Sequence, residues 1–163
     1  MKPIVYSLAD VTVTIQNNVL GTLTLQEQAE AGGTSDISMS AGSQFSSVSY
    51  SYDNDMFGKQ SFQDGGVVFT HNKALDGTIT IELGQTSPHI QDLMRFVQEA
   101  RQNPREAAST ITITDTIGVV NVTAYDCFPT RIPGQDLTAS IGNRQFTFIC
   151  RQIDDQPYVG ALV

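Results

Sequence analysis

Tryptophan is absent from this 163-residue chain, and cysteine and histidine occur only twice each. Nine Lys and Arg stand against seventeen Asp and Glu, a formal net charge of −8, and charged residues of both signs make up just 16% of the chain. Each scarcity removes a class of function. Gripping nucleic acid through a basic patch requires clustered Lys and Arg, and the nine here are scattered. A sugar-binding module stacks its ligand on exposed Trp and Tyr, so the lack of Trp weighs against a monomeric β-sandwich binding module. Cys127 and Cys150 do not have the spacing of a zinc site. With no secretory signal, a disulfide framework is not expected either, and the two read as small buried hydrophobes.

No apolar run approaches the roughly 18 residues of a membrane-spanning helix, so no membrane insertion is expected. The opening Met1-Lys2-Pro3-Ile4-Val5-Tyr6 has no long apolar core, so no signal peptide is read and synthesis in a reducing cytoplasm is the expectation. His71 and His89 belong to no nucleophile or metal motif. Asp53-Asn54-Asp55 is acidic, but the remaining calcium-loop spacing is missing. The chain is therefore read as a non-enzyme with no cofactor and no metal.

What the sequence has in quantity is alternation. Val11, Val13 and Ile15 alternate with Thr12 and Thr14, and Leu23 and Leu25 alternate with Thr22 and Thr24 across Asn17-Asn18. This predicts a hairpin over Asp10–Gln26. A second hairpin is predicted from Asp36–Ser40 and Ser46–Tyr52, and further strands from Val67–Thr70, Gly77–Leu83, Thr110–Thr114, Val119–Tyr125 and Gln145–Arg151. The stretch Asp53–Gly66 reads as a long polar, Gly-rich loop, which calls for a functional reason. One helix stands out over Pro88–Gln102. Ser87 is placed to cap it, Pro88 to start it, and Ile90, Leu93, Met94 and Val97 to form its apolar stripe.

Eight or nine strands with one helix predict a mainly β fold, a β-sandwich or half-open barrel with one flanking α-helix, in a single domain spanning 1–163. The second face of each strand is filled with Thr rather than Lys or Glu. Sheet edges are normally defended by charge, so the edges are expected to pair with other copies of the chain.

Three stretches carry a resemblance. Tyr6-Ser7-Leu8-Ala9-Asp10-Val11 is similar to a Y-S-F-x-D-V opening. The run Val68 to Pro88 (V-F-T-H-N-K-A-L-D-G-T-I-T-I-E-L-G-Q-T-S-P) looks like an S-x-x-A-x-x-G-T-I-T-x-x-L-x-Q-T-S-P core. Phe146-Thr147-Phe148-Ile149-Cys150-Arg151-Gln152-Ile153-Asp154 is similar to a final W-x-F-x-C-x-x-I-D strand, with Phe146 in place of Trp. Together, and in this order, they resemble the tail tube proteins of contractile-tailed bacteriophages.

The resemblance implies a structural subunit of the virion tail, assembled in the bacterial host cytoplasm as stacked homohexameric rings inside a contractile sheath. It implies partners as well: the sheath, baseplate and tail terminator proteins, a tape measure protein in the lumen, and DNA that passes without specific binding during genome ejection. The inner-tube protein of a type VI-like contractile injection system is the nearest alternative. On this reading Glu82, Glu27, Asp36, Asp64 and Asp126 are candidates for an acidic lumen, with Glu82 favoured because it lies opposite Ile79, Ile81 and Leu83. Met56, Phe57 and Phe62, in the 53–65 loop, are candidate contacts between rings or subunits, ordering only on assembly. The tail, 154–163, shows no period.

Overall fold

The computed structural model describes residues 11–17, 21–26, 45–115 and 120–156. Nine strands and one α-helix are found among them: β1 (Val11–Asn17), β2 (Gly21–Gln26), β3 (Phe45–Tyr52), β4 (Phe57–Ser61), β5 (Val67–His71), β6 (Gly77–Gly84), α1 (His89–Gln102), β7 (Ser109–Asp115), β8 (Val120–Pro129) and β9 (Asn143–Asp155). Seven strands form one antiparallel sheet in the order β2-β1-β7-β8-β9-β6-β3, while β4 and β5 pair only with each other. The mainly β fold with one flanking helix is thus the observed one, with the sheet open. The predicted strand Asp36–Ser40 lies outside the described residues.

Alternation accounts for the sheet strand by strand. Val11, Val13 and Ile15 of β1, Leu25 of β2, Ile79, Ile81 and Leu83 of β6, Ile111 and Ile113 of β7 and Phe146 and Phe148 of β9 are all buried, in one continuous core. Their Thr neighbours are half-buried or exposed on the other face. Seven strands laid flat would span about 29 Å and a helix covers about 10 Å. Twist and curvature of the sheet must therefore help to close the core, as a half-open barrel does.

The helix begins where the sequence places it. Pro88 already has helical dihedrals (φ −66°, ψ −21°), and Ser87 Oγ accepts a long 3.4 Å bond from the His89 N–H, the position an N-capping hydroxyl serves. Asn103 N–H closes the last turn on Glu99 O at 2.8 Å, and Pro104 follows. The stripe departs from expectation in one respect. Ile90, Leu93, Phe96 and Val97 are the buried residues, whereas Met94 is only partly buried against the core. Phe96 takes the deeper place because its ring stacks on Phe148 of β9, centroids 6.4 Å apart and planes at 19°.

Between β8 and β9 the alternation slips on both strands at the same level. Ala124 and Cys127 are consecutive inward residues on β8, as are Ile153 and Cys150 on β9. Ala124 pairs with Ile153 and Cys127 with Cys150. Two residues rather than one therefore lie between successive inward positions on each strand. The extra turn of backbone is taken at Asp126, whose φ of +52° is left-handed. Its carboxylate faces outward in an ion pair with Arg151. Register with β9 runs on unshifted; the bulge is against β7, where Ser109 pairs with Cys127 and Ile111 with Ala124, and such bulges bend a strand and sharpen its twist.

Gly77 of β6 sits at this level, between Tyr52 of β3 and Cys150 of β9. A Cβ there would lie 2.3 Å from the Ser51 carbonyl oxygen and 2.5 Å from Ile153 Cδ1. Two stability outcomes follow. Leu93→Ala, which empties a fully buried site on the helix, should cost about 2–5 kcal/mol in urea denaturation. Gly77→Ala, which adds only one methyl, should still cost about 1–3 kcal/mol because the Ser51 backbone as well as the Ile153 side chain stands in its way.

Candidate assembly surface

The sheet face opposite the core is lined with hydroxyls. Cross-strand register sets Thr24, Thr14, Thr112, Thr123 and Asp154 in one row across β2, β1, β7, β8 and β9. Another row runs Ser49, Thr80, Thr147 across β3, β6 and β9. Glu82 lies on this face, half-buried, and its Oε2 accepts a 3.0 Å bond from Ser47 Oγ. It borders a polar groove of about 710 Å³ whose other lining residues include Arg131, Asp136, Gln145 and Thr147.

Neither outer strand carries a charge: β2 reads G-T-L-T-L-Q and β3 reads F-S-S-V-S-Y-S-Y. Among the described residues each has a strand partner on one side only. Two tyrosines tie β3 down from within. Tyr52 Oη donates to the Ile153 carbonyl at 3.1 Å and Tyr50 Oη to Asp155 Oδ2 at 2.6 Å, both reaching across β6 to β9. These tethers were not anticipated from the sequence, since no local pattern joins residues a hundred positions apart.

The stretch 53–66, read as a loop, is instead half of a β-ribbon. Phe57 pairs with His71 and Ser61 with Val67. The turn is closed by Phe62 N–H to Gly66 O at 2.8 Å and Gly65 N–H to Phe62 O at 3.1 Å, with Gly65 at φ +88°. Asp64-Gly65-Gly66 is a turn signal of the kind that joins two strands. It was obscured because neither strand alternates: every residue of β4 and β5 is exposed. Met56, Phe57 and Phe62 are 61%, 60% and 48% exposed, and Val67, Val68 and Phe69 join them as exposed apolar residues. Phe57 stacks on His71 with centroids 4.9 Å apart.

A second exposed apolar group, Ile132, Leu137 and Ile141, lies in the connection between β8 and β9. The ribbon enters β6 at Gly77, and the connection returns beside Gly84, which pairs with Asn143. The two apolar groups therefore occupy opposite ends of the sheet.

The three acidic candidates among the described residues, Glu82, Asp64 and Asp126, are not brought together. Glu82 is on the hydroxyl face, Asp64 accepts the Gly66 N–H at 2.9 Å in the ribbon turn, and Asp126 pairs with Arg151 in the β8 bulge. Glu27 and Asp36 lie outside the described residues. Asp53 and Asn54 stand at the base of the ribbon, Asp53 accepting from Thr78 Oγ1 at 3.1 Å and Asn54 donating to Asp76 at 2.9 Å.

An open sheet with one flanking helix thus presents uncharged outer strands and exposed apolar groups at both ends, surfaces suited to contact with other chains. The chain belongs to the Bacteriophage PhiTE tail tube protein family, whose sequence profile matches residues 4–157. Its fold is also similar to solved structures of contractile injection machines. One, from the extracellular contractile injection system PVC sheath-tube complex in the extended state, is 18% identical with a TM-score of 0.58, covering 96% of this chain and 93% of that one. The PVC sheath/tube terminator is 17% identical with a TM-score of 0.58, over 96% and 98%. The anti-feeding prophage tube-terminating cap is 16% identical with a TM-score of 0.57, over 97% and 94%. No curated protein matches the sequence. Family membership makes this chain a phage tail component of the tube type.

The Tyr50 tether gives this surface a pH limit. Burial first, and then the hydrogen bond to Asp155, push the Tyr50 hydroxyl from 10.0 up to about 12. A raised folded-state value means that its contribution is complete below pH 10 and is lost as pH rises toward 12. Thermal midpoints of Tyr50→Phe should therefore fall less steeply than those of wild type between pH 10 and 12.

Proposed function

We propose that the chain is the repeating subunit of a phage tail tube, closed into hexameric rings by pairing of β2-side and β3-side edges and stacked end to end. The observation that carries this reading is the placement of exposed apolar groups at opposite ends of one sheet, the ribbon at one and Ile132, Leu137 and Ile141 at the other. A head-to-tail contact of unlike surfaces propagates along an axis, which is what stacking rings requires. On this reading the ribbon of each ring seats on the 130–142 connection of the next, and Met56, Phe57 and Phe62 are inter-ring contacts.

The hydroxyl face then lines the lumen, and the helix lies outside toward the sheath. Six copies at −8 carry −48 formal charges per ring, and a wall of hydroxyls with Glu82 repels phosphates without gripping bases. DNA slides through such a channel during ejection, and a tape measure protein occupies it beforehand. Sheath, baseplate and terminator proteins are the partners of the outside and the ends. The likeness to the PVC sheath-tube complex favours one second reading, the tube of a contractile injection system that delivers protein. The passenger found in purified particles separates the two.

Electron microscopy tests assembly directly. Purified wild-type protein should form tubes on concentration. Phe57→Ser with Phe69→Ser should leave the thermal midpoint nearly unchanged, because both side chains are solvent-facing, yet abolish tubes. Normal tubes from that variant would remove the ribbon from the contact. A density map with Glu82 outside the channel would remove the hydroxyl face from the lumen.

A further inference from the structure

Cys127 and Cys150 are register partners on the two central strands β8 and β9, with sulfurs 2.9 Å apart and no bond between them. A disulfide needs sulfurs at about 2.05 Å and facing Cβ atoms. A directly paired antiparallel position supplies the facing, and the neighbouring bulge at Asp126 supplies backbone able to absorb the closure. We propose that this pair is an oxidisable dithiol that closes to a cross-strand disulfide, with hydrogen peroxide as its two-electron oxidant. This proposal does not depend on the tube reading.

Access and charge assign the roles. Cys127 is fully buried, whereas Cys150 is 5% exposed and lines a cavity of about 570 Å³ together with Asp53, Asp76, Asp126, Phe128, Ile149 and Arg151. The Cys127 thiol donates its hydrogen to Cys150 Sγ. That bond, with burial, holds Cys127 in the thiol form, while it favours the thiolate at Cys150. The Cys150 thiolate attacks one peroxide oxygen, the O–O bond breaks and hydroxide leaves, giving a sulfenic acid. Cys127 sulfur then attacks the Cys150 sulfur, its proton joins the departing hydroxyl as water, and the S–S bond forms. One thiolate, one thiol and one peroxide thus become one disulfide, one water and one hydroxide. Three carboxylates against one guanidinium leave the cavity wall net anionic. It admits a small neutral oxidant and disfavours glutathione disulfide, which is itself anionic.

The bond would staple β8 to β9 in mid-sheet and close the 23-residue separation that contains the 130–142 connection. In a reducing cytoplasm the pair stays open, and outside the cell it closes. The experiment uses reduced, purified wild-type chain, treated with hydrogen peroxide or glutathione disulfide, then unfolded, alkylated and weighed by mass spectrometry. Peroxide should remove two hydrogens per chain and leave neither cysteine alkylatable, reversibly with dithiothreitol and at least tenfold faster than glutathione disulfide. The thermal midpoint of the oxidised chain should rise by roughly 5–10 °C. Cys127→Ser should leave Cys150 trapped as a sulfenic acid that dimedone captures, and Cys150→Ser should leave Cys127 alkylatable. Two alkylatable thiols after peroxide treatment, or a Cys150 sulfinic acid beside a free Cys127, would overturn the proposal. If the serine variants do not fold, the wild-type masses decide alone. Equal rates with both oxidants would overturn the cavity's selective role.

Discussion

A β-sheet has two faces and two edges, and among the described residues the apolar cover lies on one face only. The apolar residues of seven strands and the stripe of α1 combine into a single core, and each aliphatic side chain fully withdrawn from water contributes about 1.5–3 kcal/mol. That one-sided burial sets the rest. It forces Thr, Ser and Gln outward in cross-strand rows, leaves β2 and β3 each with a free side among the described residues, and gives the helix its only place. A face covered with hydroxyls is soluble yet carries little charge to repel a neighbour, so the constraint that builds the fold also prepares it for assembly.

The middle of the sheet is arranged around the matched slip of β8 and β9. Because both strands change parity at the same level, Cys127 stays opposite Cys150 and Ala124 opposite Ile153, and the core continues unbroken through the bend. Gly77 on the next strand permits the approach, since any side chain would strike the Ser51 carbonyl oxygen. Tyr50 and Tyr52 fasten β3 to β9 close by. One bulge thus brings together a required glycine, an edge tether, an outward ion pair and a buried thiol pair, within a few residues of where the exposed ribbon departs.

The ribbon presents the opposite economy. Among the described residues it joins no core: Phe57 and Phe69 remain 60% and 69% exposed. An isolated two-stranded ribbon has marginal stability in water. Here the pairing of β4 with β5, the Asp64 turn and the stacking of Phe57 on His71 hold its form, while its apolar faces stay available. A surface of that kind is characteristic of contact sites rather than of solvated loops.

Much of this was legible in the chain itself. Strict alternation located the strands β1, β2, β6, β7 and most of β9, and Ser87-Pro88 with the spaced apolar residues located the helix to within one residue, because those signals are local and physical periodicities enforce them. The exposed character of Met56, Phe57 and Phe62 was likewise readable from an apolar cluster within a polar, Gly-rich stretch. Only the tertiary structure decided that this stretch is a ribbon, since strands exposed on both faces have no reason to alternate. It also chose Phe96 over Met94, through a partner on β9 fifty-two positions away. The acidic candidates were separated for a similar reason: composition counts charges but does not say which face a bulge turns them toward. Most of all, Cys127 and Cys150 looked like two unrelated small hydrophobes. Their contact depends on register across β8 and β9, and register is a property of the folded sheet, not of either strand.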